Sequence, residues 1–540
     1  MTGSMAGGPF VLGYDFGTSA LKAALFDAEG QIVASASEAL RLLFPAPGWA
    51  QQRPEDWWGA MAAVTRRVLA EAGASPDSVK ALGLAAQMAG VVPVDERGAA
   101  LTDCLIWLDM RSGDIAKRDF GGPVAGYGPL NLARWLRYTG GAPNLSGKDP
   151  LTKMIWLRER MPEVWARTHK LLDVKDYLLH RCTGRFVTSP DCAHLTWLFD
   201  SREGHKHWAP NLLDRLDLDG AMLPDVAAAT ECAGGLTQAA ADALGLRAHT
   251  PVSVGTGDVS AATLAAGAPE NGSAHLCIGT SSWFGAMIPR QRVNPLTGIG
   301  SVCGADGEDY LLIATQENAG SCVKWAVNAL GFDGDFDAFE QAAGQAAERA
   351  DAPMFTPWMF GERVPVDDRH VRGGFARLSL DSGREDMARA IYEGVALNAR
   401  WAMGDFDRLS GRKGAPLRLI GGGARSALWC QIFADVLQRP LERIVEPESG
   451  GTRGSAMTAA VVAGWYANLA HASAMTRAAR LFQPDPALAD FYANRFSHFT
   501  HYYRRVKPWY RRAGLGAQGA AASPEASAEG AQCSTEQTKP

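Results

Sequence analysis

Short apolar runs separated by polar turns open the chain. Phe10–Tyr14 predicts a strand, and Leu21–Phe26 predicts a second. The residues Asp27–Gly30 have the composition of a hairpin turn, so Gln31–Ala34 predicts a third strand that returns beside the second. The pattern indicates a small sheet at the start of the chain.

A helix is predicted from Pro54 to Ala72. Proline suits the first turn of a helix, and Glu55 and Asp56 lie near its positive end. The apolar run Val79–Leu84 then predicts another strand. The order strand, strand, strand, helix, strand is typical of a mixed α/β domain.

A related pattern returns in the second part of the chain. Ser273–Ile278 predicts a strand, Gly279–Ser282 a turn, and Trp283–Met287 another strand. Two copies of one unit indicate duplicated halves. Small residues cluster at Gly267–Gly272, so we expect one domain over residues 10–267 and a second over 268–512.

Composition narrows the class of protein. A chain of 540 residues is too long for one core, and 47% hydrophobic with 21% charged residues is ordinary for a globular protein. The net charge of −5 gives no basic surface for nucleic acid, and no apolar run is long enough to span a membrane. Nine cysteines without a C-x-x-C pair favour reduced thiols and a cytoplasmic location. We expect a disordered leader (1–9) and a disordered tail (513–540).

Two glycine-containing turns follow predicted strands, one in each half. Asp15-Phe16-Gly17-Thr18-Ser19 offers backbone amides and hydroxyls to phosphate oxygens, and its acid suits Mg²⁺. Gly279-Thr280-Ser281-Ser282 has the same chemistry without the acid. Each alone is equally compatible with an ordinary hairpin turn. Their occurrence in both halves favours a pair of loops around one nucleotide.

A third glycine-rich turn lies between a predicted strand and a predicted helix. Gly421–Ser426 follows the apolar run Leu417–Ile420 and precedes a helix over Leu428–Leu437. Such a junction allows close approach of a flat or phosphorylated ligand, although a bare tight turn remains an alternative. The spacing matches neither a Rossmann fingerprint nor a P-loop.

Asp258 is the candidate catalytic base. It follows the strand and glycines of Val252–Gly257 and precedes a small-residue helix over Ser260–Ala266. Capping that helix is an equally good local explanation. A carboxylate facing a substrate hydroxyl would orient and deprotonate a nucleophile in phosphoryl transfer.

Two further segments offer polar groups to a polyol. Gln87-Met88-Ala89-Gly90 and Trp107-Leu108-Asp109-Met110-Arg111 combine hydrogen-bonding side chains with a flat apolar wall. A core tryptophan with surface polar residues is the favoured local reading. The pairs His205/His207 and His498/His501 lack a nearby cysteine or acid at metal spacing, so no zinc site is predicted.

The order of these motifs resembles the FGGY carbohydrate kinases, and within them the xylulokinase-type sequences. The resemblance runs from about Phe10 to about Ala470, and it includes Pro150–Leu157 and Gly373–Glu393, which are similar to the two family signatures. Arg377 stands in the second where a glycine is usual. The resemblance implies two actin-like (ribonuclease H-like) α/β domains with a cleft between them, as in the actin/hexokinase/Hsp70 superfamily.

The resemblance also implies roles for individual residues. Asp258 aligns with the catalytic base and Asp15 with the acid that places Mg²⁺. The residues implied to bind ATP and its phosphates are Gly17, Thr18, Ser19, Lys22, Gly279, Thr280, Ser281, Gly422, Gly423, Ala424 and Ser426. The residues implied to contact the sugar are Gln87, Met88, Trp107, Asp109 and Asp258.

The expected activity is transfer of the γ-phosphoryl group of ATP to a sugar, with D-xylulose as the leading substrate. Three polar residues usual in xylulokinases are replaced by Ala89, Leu108 and Val259, so another ketose or a polyol is an alternative. A catalytically silent sensor of the same fold is a further alternative, which the retained Asp15 and Asp258 disfavour. A glycerol kinase is disfavoured because no Arg-Glu pair stands at Gln87-Met88. Homodimers are common in the family.

Overall fold

A computed structural model describes residues 8–513, apart from residues 125, 268–272, 295–296 and 347. The described residues form two large sheets, which pack against helices, and five small two-stranded sheets. The predicted boundary at Gly267–Gly272 and most of the predicted leader and tail lie outside the described residues. We call the elements up to residue 265 the first half and those from residue 274 the second half.

The first half contains the larger share of short strands. Its strands are β1 (Phe10–Phe16), β2 (Ala20–Phe26), β3 (Ile32–Ala39), β4 (Gln51–Gln52), β5 (Val79–Ala86), β6 (Val92–Val94), β7 (Cys104–Leu105), β8 (Gly121–Val124), β9 (Lys170–Leu172), β10 (Val187–Thr188), β11 (Phe199–Asp200), β12 (His207–Trp208), β13 (Asp225–Val226), β14 (Cys232–Gly235), β15 (Pro251–Ser253) and β16 (Thr256–Gly257). Its helices are α1 (Pro54–Ala72), α2 (Gly113–Phe120), α3 (Pro129–Thr139), α4 (Pro150–Arg160), α5 (Pro162–Arg167), α6 (Val174–Thr183), α7 (Pro190–Leu195), α8 (Pro210–Leu216), α9 (Gln238–Leu244) and α10 (Asp258–Ala265).

The second half contains longer helices. Its strands are β17 (Ala274–Ile278), β18 (Ser282–Ile288), β19 (Val293–Asn294), β20 (Ile299–Cys303), β21 (Tyr310–Gln316), β22 (Met354–Thr356), β23 (Gly374–Ala376), β24 (Leu417–Ile420), β25 (Leu441–Ile444) and β26 (Ala478–Phe482). Its helices are α11 (Gly320–Ala329), α12 (Phe336–Gln345), α13 (Arg384–Ser410), α14 (Ala427–Leu437), α15 (Gly450–Val462), α16 (Leu469–Ala472) and α17 (Ala489–Arg512).

The two large sheets repeat one topology. In the first, β1, β2 and β3 are antiparallel neighbours, while β5 is parallel to β1 and β15 is parallel to β5. In the second, β17, β18 and β21 are antiparallel neighbours, while β24 is parallel to β17 and β25 is parallel to β24. This correspondence confirms the prediction of duplicated halves.

The strongest local patterns are found where they were predicted. Helix α1 spans Pro54–Ala72 and ends at Gly73, whose φ of 61° is the left-handed conformation that glycine adopts without strain. The third strand is longer than its predicted apolar run because β3 pairs with β2 as far as Ala39. Helix α10 begins at Asp258, two residues before the predicted start, with Gly257 as its cap.

Helices α10 and α15 join the two halves. An ideal Cβ at Gly454 of α15 would lie 1.9 Å from the backbone oxygen of Ala261 in α10. A Cβ at Gly83 of β5 would lie 1.8 Å from the oxygen of Ser455, and one at Gly13 of β1 would lie 2.1 Å from that of Thr452. Glycine at these positions lets α15 lie directly on the first sheet and cross α10 in backbone contact.

A buried histidine forms a second link between the halves. His194 of α7 is fully buried, its Nδ1 accepts a hydrogen bond from the Cys303 amide at 2.9 Å, and its Nε2 lies 2.8 Å from the Thr139 oxygen. Because the amide donates to Nδ1, the proton is on Nε2 and the ring is neutral. Burial lowers the pKa of His194 from 6.5 to about 4.

This histidine predicts loss of stability in acid. The folded-state pKa lies below the unfolded one, so the stabilisation is present above pH 6.5 and is lost as the pH falls towards 4. Between pH 7.5 and 5, protonation of His194 in the unfolded state lowers the free energy of unfolding by roughly 2 kcal/mol. We expect His194→Gln, which keeps one donor and one acceptor, to show a smaller drop in urea midpoint over this range. The exposed His471→Gln is the control; an equal drop in all three proteins would contradict the assignment.

The described cysteines form no disulfide bonds. Cys104, Cys182, Cys192, Cys232, Cys277, Cys303, Cys322 and Cys430 are all free thiols. Within the described ranges, no helix combines the length and apolar character needed to cross a membrane.

Candidate active site

Three predicted site residues meet at one edge of the first sheet. The parallel strands β1, β5 and β16 end side by side, because Asp15 pairs with Ala85, and Gly257 pairs with Ala86. Asp15, Gln87 and Asp258 therefore stand at neighbouring strand ends. Ligand sites in α/β sheets commonly form at this carboxyl edge.

The position and the raised pKa of Asp258 suit its predicted role as a base. It is half-buried at the first position of α10, and its Oδ1 accepts a hydrogen bond from the Val259 amide at 2.9 Å. Desolvation, followed by the negative charge of Asp15, raises the pKa of Asp258 to about 7. A carboxylate with such a pKa accepts a proton from a hydroxyl more readily than an ordinary aspartate.

Asp15 lies against the start of α15. An ideal Cβ on Gly451 would lie 2.1 Å from the Asp15 Oδ2 atom, so only glycine leaves room for the carboxylate. Burial raises the pKa of Asp15, and Lys22, its register partner on β2, lowers it. Asp15 and Asp258 are thus close enough for the negative charge of one to raise the pKa of the other.

The corresponding edge of the second sheet faces Asp258. Strands β17 and β24 are parallel and end together, with Cys277 opposite Ile420, so the turns at Gly279 and Gly421 are neighbours. Burial raises the pKa of the Cys277 thiol to about 12, and the charge of Asp258 adds to this shift. Asp258, the candidate base, is thus close to the strand that leads into the second predicted phosphate turn.

Thr18 connects the predicted phosphate turn to Gln87 and Trp107, which are predicted to contact the sugar. Its hydroxyl donates to Gln87 Oε1 at 3.3 Å and accepts from Trp107 Nε1 at 2.9 Å. Gln52 closes the network, since its Nε2 donates to the Thr18 oxygen at 2.8 Å and its Oε1 accepts from Gln87 Nε2 at 2.6 Å. Trp107 and Gln87 are therefore fixed in position before any ligand binds.

The loop after β5 is held by two buried charges. The Asp173 carboxylate accepts hydrogen bonds from the amides of Ala89 at 3.0 Å and Gly90 at 2.8 Å. The fully buried Lys153 donates to the oxygens of Ala89 at 3.0 Å and Ile106 at 2.7 Å. Burial raises the pKa of Asp173 to about 7 and lowers that of Lys153 to about 8. Ala89 is held at a φ of 65°.

Another buried acid positions the segment before Asp258. Asp191 of α7 accepts from the Thr256 hydroxyl at 2.5 Å and from the Gly257 amide at 2.9 Å. Met88 lies on Gly257, where an ideal Cβ would be 2.2 Å from its sulfur. The backbone that leads into Asp258 is therefore fixed from both sides.

Sequence comparison identifies the family to which this arrangement belongs. The N-terminal domain model of the FGGY family of carbohydrate kinases matches residues 10–265, and the C-terminal domain model matches residues 274–463. The chain belongs to the FGGY family of carbohydrate kinases. It is thus an ATP-dependent sugar kinase, as the order of its motifs predicted.

The relatives of this FGGY kinase cover nearly its whole length. The xylulose kinase of Escherichia coli (strain K12) is 30% identical over 501 residues, which are 92% of this chain and 99% of the relative. A crystal structure of xylulose kinase from Rhodospirillum rubrum has a TM-score of 0.78 at 25% identity, and ligand-bound xylulose kinase from Lactobacillus acidophilus has 0.82 at 24%; each comparison covers 93% of this chain and at least 99% of the other. The predicted actin/hexokinase-like fold is confirmed.

Two residues predicted on the sugar side have other contacts in this FGGY kinase. Asp109 is fully buried, accepts from the Ala50 amide at 2.7 Å and is paired with Arg111 at 2.8 Å, so it has no surface for a sugar. Leu108 packs against the hydrophobic core of the first half. Its side chain therefore has a packing role of its own. The structure thus does not support a direct sugar contact for Asp109.

The predicted nucleotide-side residues differ in accessibility. Gly422 is exposed with no atom within 4 Å of an ideal Cβ, and Thr280 is exposed. Ala424 is fully buried, and the Ser426 hydroxyl accepts from the Trp429 amide at 3.0 Å as the cap of α14. The predicted direct contact is therefore not supported for the Ala424 side chain, and the Ser426 hydroxyl already has a partner.

The remaining predicted residues of the FGGY kinase lie on the turns themselves. The Gly17 amide donates to the Ala20 oxygen at 3.1 Å, while Ser19 is exposed. The Gly279 amide donates to the Ser281 oxygen at 2.8 Å. An ideal Cβ at Gly423 would lie 2.5 Å from the Ile278 side chain, so this glycine allows close packing of the turn.

The sequence analysis did not identify four polar residues that support the site. They are Gln52, Lys153, Asp173 and Asp191, and all act on backbone or on other side chains of the site. Lys153 lies within the first family signature, which was the one available signal. The others are separated from their partners in the site by 34 residues or more in sequence, so no local pattern links them.

One metal expectation needs correction. His205 and His207 do have an acid nearby, since their ring nitrogens and a carboxylate oxygen of Asp200 lie within 4.8 Å of one another. Both Asp200 oxygens, however, accept hydrogen bonds from Arg202, at 2.8 and 2.6 Å. The Arg202 guanidinium pairs with both oxygens of the Asp200 carboxylate, and its positive charge repels a metal cation. This cluster therefore gives no support to a metal site.

Proposed function

We propose that this kinase transfers the γ-phosphoryl group of ATP to a hydroxyl of a ketose, with D-xylulose as the leading substrate. The observation that carries the proposal is Asp258, an aspartate with a pKa of about 7 at a strand end that faces the second half. Similarity over 92% of the chain to a protein named xylulose kinase supports D-xylulose. Another ketose or a polyol remains the alternative, because Ala89 and Val259 are apolar.

In the proposed reaction Asp258 removes the proton from the attacked hydroxyl. The sugar oxygen forms a bond to the γ-phosphorus as the bond from phosphorus to the bridging oxygen breaks, and ADP leaves with that electron pair. The proton stays on Asp258 until products depart. Protein groups at the two sheet edges exclude water, which would otherwise compete with the sugar.

The two half-buried carboxylates of Asp15 and Asp258 fit a magnesium ion. Within the described residues no hydrogen bond or ion pair engages the Asp15 carboxylate, and its strongest charge partner is Lys22. Oxygen ligands and one or two carboxylates are what Mg²⁺ requires beside phosphates. Asp15 would hold the ion, with Asp258 nearby, and the ion would neutralise charge on the phosphates.

We assign the first half, residues 10–267, to the sugar and the second, residues 268–512, to the nucleotide. Exposed Thr280 and the open space beside Gly422 support the nucleotide assignment. We further propose a cytoplasmic location, where the free thiols stay reduced, and a homodimer. Size-exclusion chromatography with light scattering tests the homodimer.

A coupled assay of ADP release tests the proposal. Purified protein, Mg-ATP and a panel of ketoses, aldoses and polyols are combined, and turnover is compared for each acceptor. We expect D-xylulose to give the largest kcat/KM. Strong turnover on a different sugar would replace D-xylulose, and no turnover on the panel would overturn the kinase proposal.

Position 89 tests the shape of the sugar pocket. We expect Ala89→His to raise kcat/KM for D-xylulose about fivefold, because an added imidazole hydrogen bond is worth on the order of 1 kcal/mol. Histidine tolerates the positive φ of 65° at this position better than most residues. Ala89→Phe adds similar bulk without the hydrogen bond and serves as the control. No change, or a loss with histidine alone, would count against a sugar contact at this position.

A further inference from the structure

Lys148 is a half-buried cation without a hydrogen-bonding partner. It lies on the loop between α3 and α4, and within the described residues no hydrogen bond or ion pair involves its ammonium. Its ammonium lies beside an aromatic ring, with Nζ 5.7 Å from the centroid of Trp107. Burial lowers the pKa of Lys148. Because the residue is only half-buried and no protein acceptor among the described residues engages its ammonium, the donors remain available to a ligand.

The ring beside Lys148 belongs to Trp107, one of the residues predicted to contact the sugar. Trp107 is held by its bond to the Thr18 hydroxyl at 2.9 Å, and the same hydroxyl bonds to Gln87 at 3.3 Å. The indole therefore cannot turn away without breaking this network. Lys148 extends the wall formed by Trp107 and Gln87 with three hydrogen-bond donors.

The nearby acids do not complete the coordination of Lys148. The charges that act on it are those of Glu317, Arg363, Arg369 and Asp149. Glu317 is already paired with Arg363, whose Nη2 lies 2.8 Å from its Oε1. Asp149 accepts a hydrogen bond from the Asn144 amide. No acid among the described residues is therefore paired with Lys148, and a ligand between the halves would offer its ammonium an acceptor.

The position of Lys148 favours the sugar over the phosphates. The cation that acts on Asp15, at the expected magnesium end, is Lys22. Lys148 lies instead beside the indole, whose flat face suits the carbon side of a sugar ring or chain. Because the side chains of Ala89 and Val259 offer a sugar no hydrogen bond, donors from another residue would add to sugar binding.

We propose that Lys148 donates hydrogen bonds to the acceptor sugar and is a specificity-determining residue of this kinase. The assignment rests on the proposed sugar kinase activity. A charge-assisted hydrogen bond is stronger than a neutral one, so Lys148 would contribute more to sugar binding than a hydroxyl or amide would. Since the residue does not touch the reacting atoms, its effect falls on sugar binding rather than on the rate of phosphoryl transfer.

Lys148→Met separates these roles, because methionine keeps much of the apolar stem and removes the donors. We expect the KM for the preferred sugar to rise at least tenfold, while kcat and the KM for ATP change less than threefold. Lys148→Gln keeps a neutral NH2 donor group and should give an intermediate KM. The exposed Lys117→Met on α2 is the control and should match the wild type. Circular dichroism and thermal melting establish that each variant is folded.

The outcomes distinguish this assignment from the proposed function. Wild-type turnover with an unchanged sugar KM in both Lys148 variants overturns the assignment alone. A rise in the KM for ATP, or a fall in kcat at unchanged sugar KM, places Lys148 at the phosphates and also overturns it. A wild type that phosphorylates no sugar overturns the proposed function, and the Lys148 assignment with it.

Discussion

Replacing Asp258 by asparagine will lower kcat roughly 10³-fold, which is the contribution expected of a general base. Asparagine keeps the size of the side chain and can still accept the Val259 amide, so the fold of α10 is retained. It cannot accept the proton of the sugar hydroxyl. Turnover is measured by ADP release, and ATP binding by titration calorimetry.

ATP binding separates loss of the base from loss of the site. We expect the dissociation constant for Mg-ATP to change less than threefold in Asp258→Asn, because the predicted nucleotide contacts lie on the second half. The exposed Asp490→Asn should behave as the wild type. Turnover within tenfold of the wild type would remove Asp258 from the role of base.

Gly454→Ala will destabilise the protein and abolish activity together. An alanine Cβ would lie 1.9 Å from the Ala261 oxygen, and backbone on both sides leaves no side chain to move aside. Overpacking of this kind costs on the order of 3 kcal/mol. Because α10 carries Asp258 at its start and α15 packs Gly451 against Asp15, displacing the two helices also separates the carboxylates.

A glycine in a comparable helix provides the control. Gly404 lies inside α13, and an ideal Cβ there meets no atom within 4 Å. Gly404→Ala should therefore stabilise by about 0.5–1 kcal/mol through helix propensity alone. Urea unfolding and ADP release are measured for both variants. A Gly454→Ala protein as stable and active as Gly404→Ala would contradict the close crossing of α10 and α15.

The local sequence predicted the fold through its strongest patterns. The run Phe10–Tyr14 with its turn, and its counterpart at Ser273–Ile278, identified two related sheets because apolar strands and glycine turns are short-range features. The boundaries were less certain, as the start of α10 at Asp258 shows. Arg377 adopts a φ of 66°, which explains in retrospect why a glycine is usual there.

The site was predicted in outline but not in its contacts. Asp15 and Asp258 were singled out from their positions at strand ends, and Gln87 from the hydrogen bonds it offers a polyol. The sheet places all three at one edge. The Asp109 carboxylate could hydrogen-bond to a sugar, yet it is already bound by Arg111 and by the Ala50 amide. Gln52, Asp173 and Asp191 were absent from the prediction because their partners are distant in sequence.

The sequence by itself determined the order of strands, turns and helices, the duplication, and the family, since these depend on local periodicity and on motifs read in order. The tertiary structure alone decided which polar atoms are available. Asp258 has a pKa of about 7 because burial and the charge of Asp15 act on it, and Asp15 is 243 residues away along the chain. Such environments arise only when distant segments pack together, because desolvation and charge act through space and not along the chain.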